Sequence, residues 1–153
     1  MATRNKKRRR LGFILLTAII LLAAAIGVYW YIADEKFADT KDRQSAYTVN
    51  ALDFIREFEQ NNEVANAKYD GKIITVNGIV SETEAADTTV NLKLVDTASG
   101  SYAIFAFQDQ HLSEAKTVKA GDSVSIKGSF SAGVYSRLLK KTSITFKRCT
   151  LNK

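Results

Sequence analysis

One glycine, Gly78, occupies an inward-facing position in the most regular strand of this chain, and it restricts the fold more than any other single residue. Residues 69–81 read Tyr-Asp-Gly-Lys-Ile-Ile-Thr-Val-Asn-Gly-Ile-Val-Ser. A turn at Asp70-Gly71 opens an alternation that puts Ile74, Val76 and Val80 on one face and Thr75, Asn77 and Ser81 on the other. Glycine weakens a strand interior, so its place here predicts a bulge or sharp coil, the device with which a short sheet curls on itself.

Four more strands follow. Val90, Leu92 and Leu94 alternate with Asn91 and Lys93, and residues 96–100 supply turn residues before a strand over 101–108, so these two are expected to form a hairpin. In the latter, Ala103, Phe105 and Phe107 share one face and Tyr102 and Ile104 the other, which predicts cover on both sides. Residues 123–130 alternate around Val124, Ile126 and Phe130, with Gly128 placed as Gly78 is in the first strand. The last strand, 143–151, changes phase between Phe146 and Cys149, predicting a bulge near Lys147-Arg148. Between strands, 82–87 reads as a solvated acidic loop, 109–119 as a short helix or loop with His111 in solvent, and 131–142 as a loop or flexible hairpin. Ahead of the first strand, Asn50 is a helix cap with Asp53 in the first turn, and Ala51, Leu52, Ile55 and Phe58 recur at helical spacing through Gln60. Val64, Ala65 and Ala67 add a further turn or two.

The N-terminal third is different. Residues 11–33 carry no charge and would form about 35 Å of helix, enough to cross a bilayer core of roughly 30 Å. Tyr29, Trp30 and Tyr31 close it with an interfacial cluster, and Arg4, Lys6, Lys7, Arg8, Arg9 and Arg10 precede it, which keeps the N-terminus in the cytoplasm. Cleavage after Ala23-Ala24-Ala25 is the competing reading, disfavoured because it would leave Ile-Gly-Val-Tyr-Trp-Tyr-Ile as a new terminus. The formal net charge of +6 resides wholly in the first ten residues, since the other 16 cations balance all 16 acids, and it is no argument for nucleic acid. The expected organisation is a basic cytoplasmic tail (1–10), a transmembrane signal-anchor (11–33), a polar tether (34–49) and a folded domain with a leading helix (50–153). The domain then lies outside the cytoplasmic (inner) membrane, held by a single pass.

Five strands, two with an internal glycine and a helical segment between the third and fourth, predict a mainly β chain: a five-stranded OB-fold barrel with an N-terminal amphipathic helix, preceded by one transmembrane helix. Phe58-Glu59-Gln60-Asn61-Asn62-Glu63-Val64-Ala65, Tyr69-Asp70-Gly71-Lys72 and Val76-Asn77-Gly78-Ile79-Val80 resemble the bacterial OB-fold proteins grouped as tRNA_anti-like. Ala120-Gly121-Asp122-Ser123-Val124-Ser125-Ile126-Lys127-Gly128 and Phe146-Lys147-Arg148-Cys149-Thr150-Leu151 fit the same pattern. The resemblance spans residues 50–151 and implies a fold and an envelope location, with no catalytic or ligand residues to carry over.

Nothing in the chain assembles a reaction centre. One histidine, one cysteine far from it, no Gly-x-Ser-x-Gly and no phosphate loop leave no nucleophile with a partner, so no enzyme, cofactor or metal is expected. Cys149 has no intramolecular disulfide partner and reads as a small buried apolar residue. Charge is asymmetric: residues 34–121 hold 9 cations and 15 acids, whereas seven cations and no acid follow Asp122. Tyr135, Arg137, Lys140 and Lys141 therefore form the candidate ligand-binding set, in the loop between the fourth and fifth strands. The function expected is a membrane-anchored interaction module that binds an envelope protein. The alternative is capture of an anionic oligomer, and nucleic acid is disfavoured because Asn91 and Lys93, rather than aromatic residues, face outward.

Overall fold

The computed structural model describes residues 15–31 and 39–152. The expected basic tail, both ends of the apolar span and residues 34–38 of the tether lie outside them. The chain divides into two compact units, 1–38 and 39–153. In the first, residues 15–31 are helical (α1) with their large apolar side chains exposed. Among the described residues no helix is long and apolar enough to cross a membrane, so the span expected over 11–33 is not found there.

The second unit is a helix-capped sheet. Its strands are β1 (Tyr47–Asn50), β2 (Ile73–Ile79), β3 (Glu82–Ala85), β4 (Val90–Val95), β5 (Tyr102–Phe107), β6 (Ser123–Ser136) and β7 (Lys141–Leu151). Its helices are α2 (Ala51–Gln60), α3 (Asn62–Tyr69) and the single turn α4 (Leu112–Ala115). They form one sheet in the order β1-β2-β6-β7-β5-β4-β3, with β1–β2 and β5–β7 parallel and the other pairs antiparallel.

The expected five-stranded closed barrel is therefore corrected to a seven-stranded sheet whose ladder stays open between β1 and β3. The break in the first strand explains this. At Val80 the backbone leaves β2: its N–H donates to Asp122 O (2.9 Å), and its carbonyl accepts from the Gly121 N–H (2.7 Å). The next N–H, on Ser81, donates instead to Lys93 O (2.8 Å), and β3 pairs with β4. One bent segment thus serves β6 with its first half and β4 with its second. Gly78 sits just before the bend, where a Cβ would lie 2.6 Å from Leu94 Cδ2 and 2.7 Å from Ala51 Cβ. The absence of a side chain lets α2 and β4 close over the strand.

Several loop readings are corrected too. The acidic 82–87 segment is largely β3, polar along its length because its residues remain exposed or half-exposed at a sheet edge. β6 does not end at Phe130 but continues to Ser136, opposite Lys141. Gly133 makes that extension possible: a Cβ there would overlap the Phe58 ring, and the Asn66 side chain bonds both its N–H (2.8 Å) and its carbonyl (2.7 Å). β5 is buried on one face only, with Tyr102 and Ile104 half-exposed on the other. The predicted bulge is present: Lys127 pairs with Thr150 and Ser129 with Lys147, and Arg148 takes a left-handed φ of 52°.

Helix α2 starts where the sequence places it, with Asn50 Oδ1 accepting from Leu52 N–H (3.0 Å). It buries Ala51, Phe54, Ile55 and Phe58 against the sheet. The rings of Phe54 and Phe58 meet Tyr69, Phe130 and Phe146 at centroid separations of 4.9–5.9 Å, an aromatic plug over one end of the core.

Residues 39–50 belong to the fold as a strap rather than continuing the tether. His111, expected in solvent, is only 7% exposed, and its Nε2 lies 2.9 Å from both carboxylate oxygens of Asp39. Burial raises the Asp39 pKa, but bonds from the Lys41 N–H, His111 and Gln110 outweigh it and hold the carboxyl below its ordinary value. Farther along, Lys127 Nζ donates to the carbonyls of Lys41 (3.0 Å) and Arg43 (3.1 Å), the Ser45 hydroxyl pairs with Thr75, and β1 joins β2.

Candidate interaction surfaces at the β6–β7 end

The four residues singled out from the sequence come together. Tyr135 lies near the end of β6 opposite Thr142, Arg137 and Lys140 occupy the turn, and Lys141 opens β7, all exposed. Lys140 holds the turn tight with a left-handed φ of 51°. Lys141 lays its aliphatic stem across the β4–β5 turn, its Cε 2.8 Å from where a Cβ on Gly100 would stand. Two neighbours were missed. Leu138 is 91% exposed and Leu139 65%, so the apex of the tip is apolar with cations on either side. Adjacent leucines inside a cation-rich turn were the available signal.

On the other side of the β4–β5 turn lies a groove of about 460 Å³ between α2 and the ends of β2 and β4. Ala51, Gly78 and Leu94 lie along it, with exposed Leu52 (42%) and Ile79 (64%) at its lips. Its polar wall is the Arg56–Asp96 pair (Nε to Oδ2, 3.4 Å), in which Asp96 is buried and also accepts from Ala98 N–H (2.9 Å). The sequence reading passed over this groove because Leu52 was assigned to the packing face of α2, whereas its side chain turns outward.

The outer face of the sheet is sparer. Asn91, Lys93, Val95, Tyr102 and Ile104 are half-exposed, and Lys93 Nζ sits 4.7 Å over the Tyr102 ring while pairing with Glu82 (3.2 Å). The one ring there is thus already covered by a cation. Among the described residues no group of three or more His, Cys, Asp or Glu side chains could hold a metal ion. Cys149 is fully buried under Gly128, and burial pushes its thiol pKa well up.

With β2 bent after Ile79 and continued as β3 at the far edge of the ladder, this sheet has the strand order of the OB-fold class, whose members bind oligomers and partners on sites grafted onto a common scaffold. The chain belongs to the tRNA_anti-like family, whose sequence model matches residues 1–152. Among solved structures it is similar to a candidate nucleic acid-binding lipoprotein from Klebsiella pneumoniae (16% identity, TM-score 0.54, covering 69% of this chain and 91% of that one). That likeness shows the fold. It also matches the OBody AM3L09, solved bound to hen egg-white lysozyme (18%, TM-score 0.42, covering 55% and 84%). A further match, to a candidate aspartyl-tRNA synthetase from Leishmania major (9%, TM-score 0.44), covers 71% of this chain but 21% of the enzyme. No curated protein matches this chain.

Proposed function

We propose that this chain is a non-enzymatic interaction module anchored in the cytoplasmic membrane, with its OB domain on the outer side and an envelope protein as its partner. Anchoring is supported by the uncharged stretch 11–33 behind six cations, part of which, 15–31, is helical with its apolar side chains outward. The observation that carries partner binding is the groove. It is concave and lined largely by apolar groups, its two lips are exposed leucine and isoleucine, and one ion pair, buried at its Asp96 end and open to solvent at Arg56, stands in its wall to fix orientation. An apolar segment of a partner would cover Leu52 and Ile79 together.

Capture of an anionic oligomer is the second reading, favoured by the gathering of Tyr135, Arg137, Lys140 and Lys141 in one tip. The nucleic-acid role suggested for the Klebsiella protein is of the same kind. Against it, single-strand binding uses stacked aromatic platforms, and here aliphatic side chains crown the cations. The deciding experiment places photo-crosslinkers at Leu52, Ile79 and Lys140 of the full chain in native membranes. Protein adducts at 52 and 79 that survive Arg137→Glu, Lys140→Glu and Lys141→Glu support the module. Adducts to nucleic acid or polysaccharide at 140 alone, lost in the triple variant, would replace it with the second reading.

A further inference from the structure

We infer that the β6–β7 tip is a lipid-contacting element that dips into an anionic bilayer surface. The inference takes its location from the membrane-anchored reading and its chemistry from the tip itself. Leu138 and Leu139 stand at the apex of the turn, both largely exposed. Arg137, Lys140 and Lys141 flank them, and Val134 and Tyr135 follow on the stem, also exposed. Apolar apex, then cations, then a tyrosine is the order a hairpin needs to meet the acyl boundary, the phosphate layer and the interface in succession. No acid occurs between residues 123 and 153 to oppose an anionic surface.

The tip is also ready-made. β6 and β7 stay paired to Ser136 and Lys141, and the left-handed Lys140 closes the turn, so presenting the leucines requires little ordering on contact.

The test uses the full chain reconstituted with phosphatidylcholine vesicles, with and without phosphatidylglycerol, carrying an environment-sensitive fluorophore on Leu138→Cys or, as control, on Asp87→Cys. Cys149 is fully buried and does not compete for label. The expected result is a blue shift and quenching by lipid-borne quenchers at 138 only, stronger with phosphatidylglycerol and reversed by Arg137→Glu, Lys140→Glu and Lys141→Glu. With the label moved to Tyr135→Cys, Leu138→Ser with Leu139→Ser should lower the lipid-inserted fraction at least about tenfold. A probe at 138 that stays in water while the chain floats with vesicles and resists carbonate extraction overturns the inference and leaves the anchor intact. A chain that carbonate strips from vesicles, yet whose probe at 138 had entered lipid, upholds the tip and refutes the anchor. A shift that appears only when envelope proteins are added assigns the tip to a protein and overturns lipid contact.

Discussion

Replacing Gly78 by alanine should destabilise the domain, although alanine suits most strands better. The added Cβ would stand 2.6 Å from Leu94 Cδ2 and 2.7 Å from Ala51 Cβ, against an ordinary carbon separation of about 3.5–4.0 Å. Both neighbours must retreat by about 1 Å. Leu94 can turn only within a packed interior, since it is buried among core residues. Ala51 Cβ moves only with the start of α2, and that helix carries Phe54, Ile55 and Phe58 into the aromatic plug. Overpacking of this kind costs about 1–3 kcal/mol, and the smaller entropy of the unfolded alanine chain returns about 0.4–1 kcal/mol. The net loss is about 1–2 kcal/mol, or a fall in Tm of about 3–10 °C for a domain of this size. Thermal unfolding of the full chain in mild detergent, followed by near-ultraviolet circular dichroism, reads it. Leu94→Ala alone should cost about 2–5 kcal/mol, and the double variant should cost less than the sum by about 1 kcal/mol, because removing Leu94 removes half of the clash. A Gly78→Ala protein as stable as wild type, with an additive double variant, would refute the account of why the strand bends here.

Three further outcomes follow from the geometry. Asn66→Ala strips bonds from both the N–H and the carbonyl of Gly133 and should lower the urea-unfolding free energy by about 2 kcal/mol, while Asn66→Asp, which sets a carboxylate oxygen against the Gly133 and Asn62 carbonyls, should lose at least as much near neutral pH. Glu57 accepts from Lys68 Nζ (2.6 Å) and Tyr69 Oη (2.7 Å); burial raises its pKa, but these bonds prevail and hold it below the ordinary value. Its contribution is therefore full above the unfolded pKa of about 4.3 and lost as pH falls through the lower folded pKa. The gap in urea midpoint between wild type and Glu57→Gln should accordingly be widest near neutrality and close toward pH 3. Finally, Cys149 should react with a thiol reagent only as fast as the domain opens; prompt labelling of the native chain would mean that the Gly128–Cys149 contact is looser than described.

What the sequence showed and what it concealed divide along the range of the interactions. The Asn50 cap, the β4–β5 hairpin and the bulge at Lys147-Arg148 are set by neighbours a few residues apart, and each was read correctly; the α2 stripe was right at Ala51, Ile55 and Phe58 but took Leu52 in place of the buried Phe54. His111 was misread because its partner, Asp39, lies 72 positions away, and a lone histidine carries no mark of a distant carboxylate. β3 was hidden because Glu82-Thr83-Glu84-Ala85 pairs on one side only and offers no buried face to create an apolar rhythm. The extension of β6 was hidden by Gly133, which reads as a turn and serves instead to admit a phenylalanine from another element. Of the candidate site, the cations were legible from charge alone, but the groove needed α2, β2 and β4 to meet before it existed.

The strap has a practical consequence for how the chain can be cut. β2 has two hydrogen-bonding edges; β6 satisfies one along its whole length, and residues 46–50 cover much of the other. A fragment begun at Asn50, where the sequence alone would set the boundary, would lay bare Ile73-Ile74-Thr75-Val76 as an open apolar edge able to accept a strand from another molecule. A fragment begun at Asp39 keeps its own strand in that place. Eleven residues that look like spacer thus separate a soluble reagent from one prone to stack edge to edge.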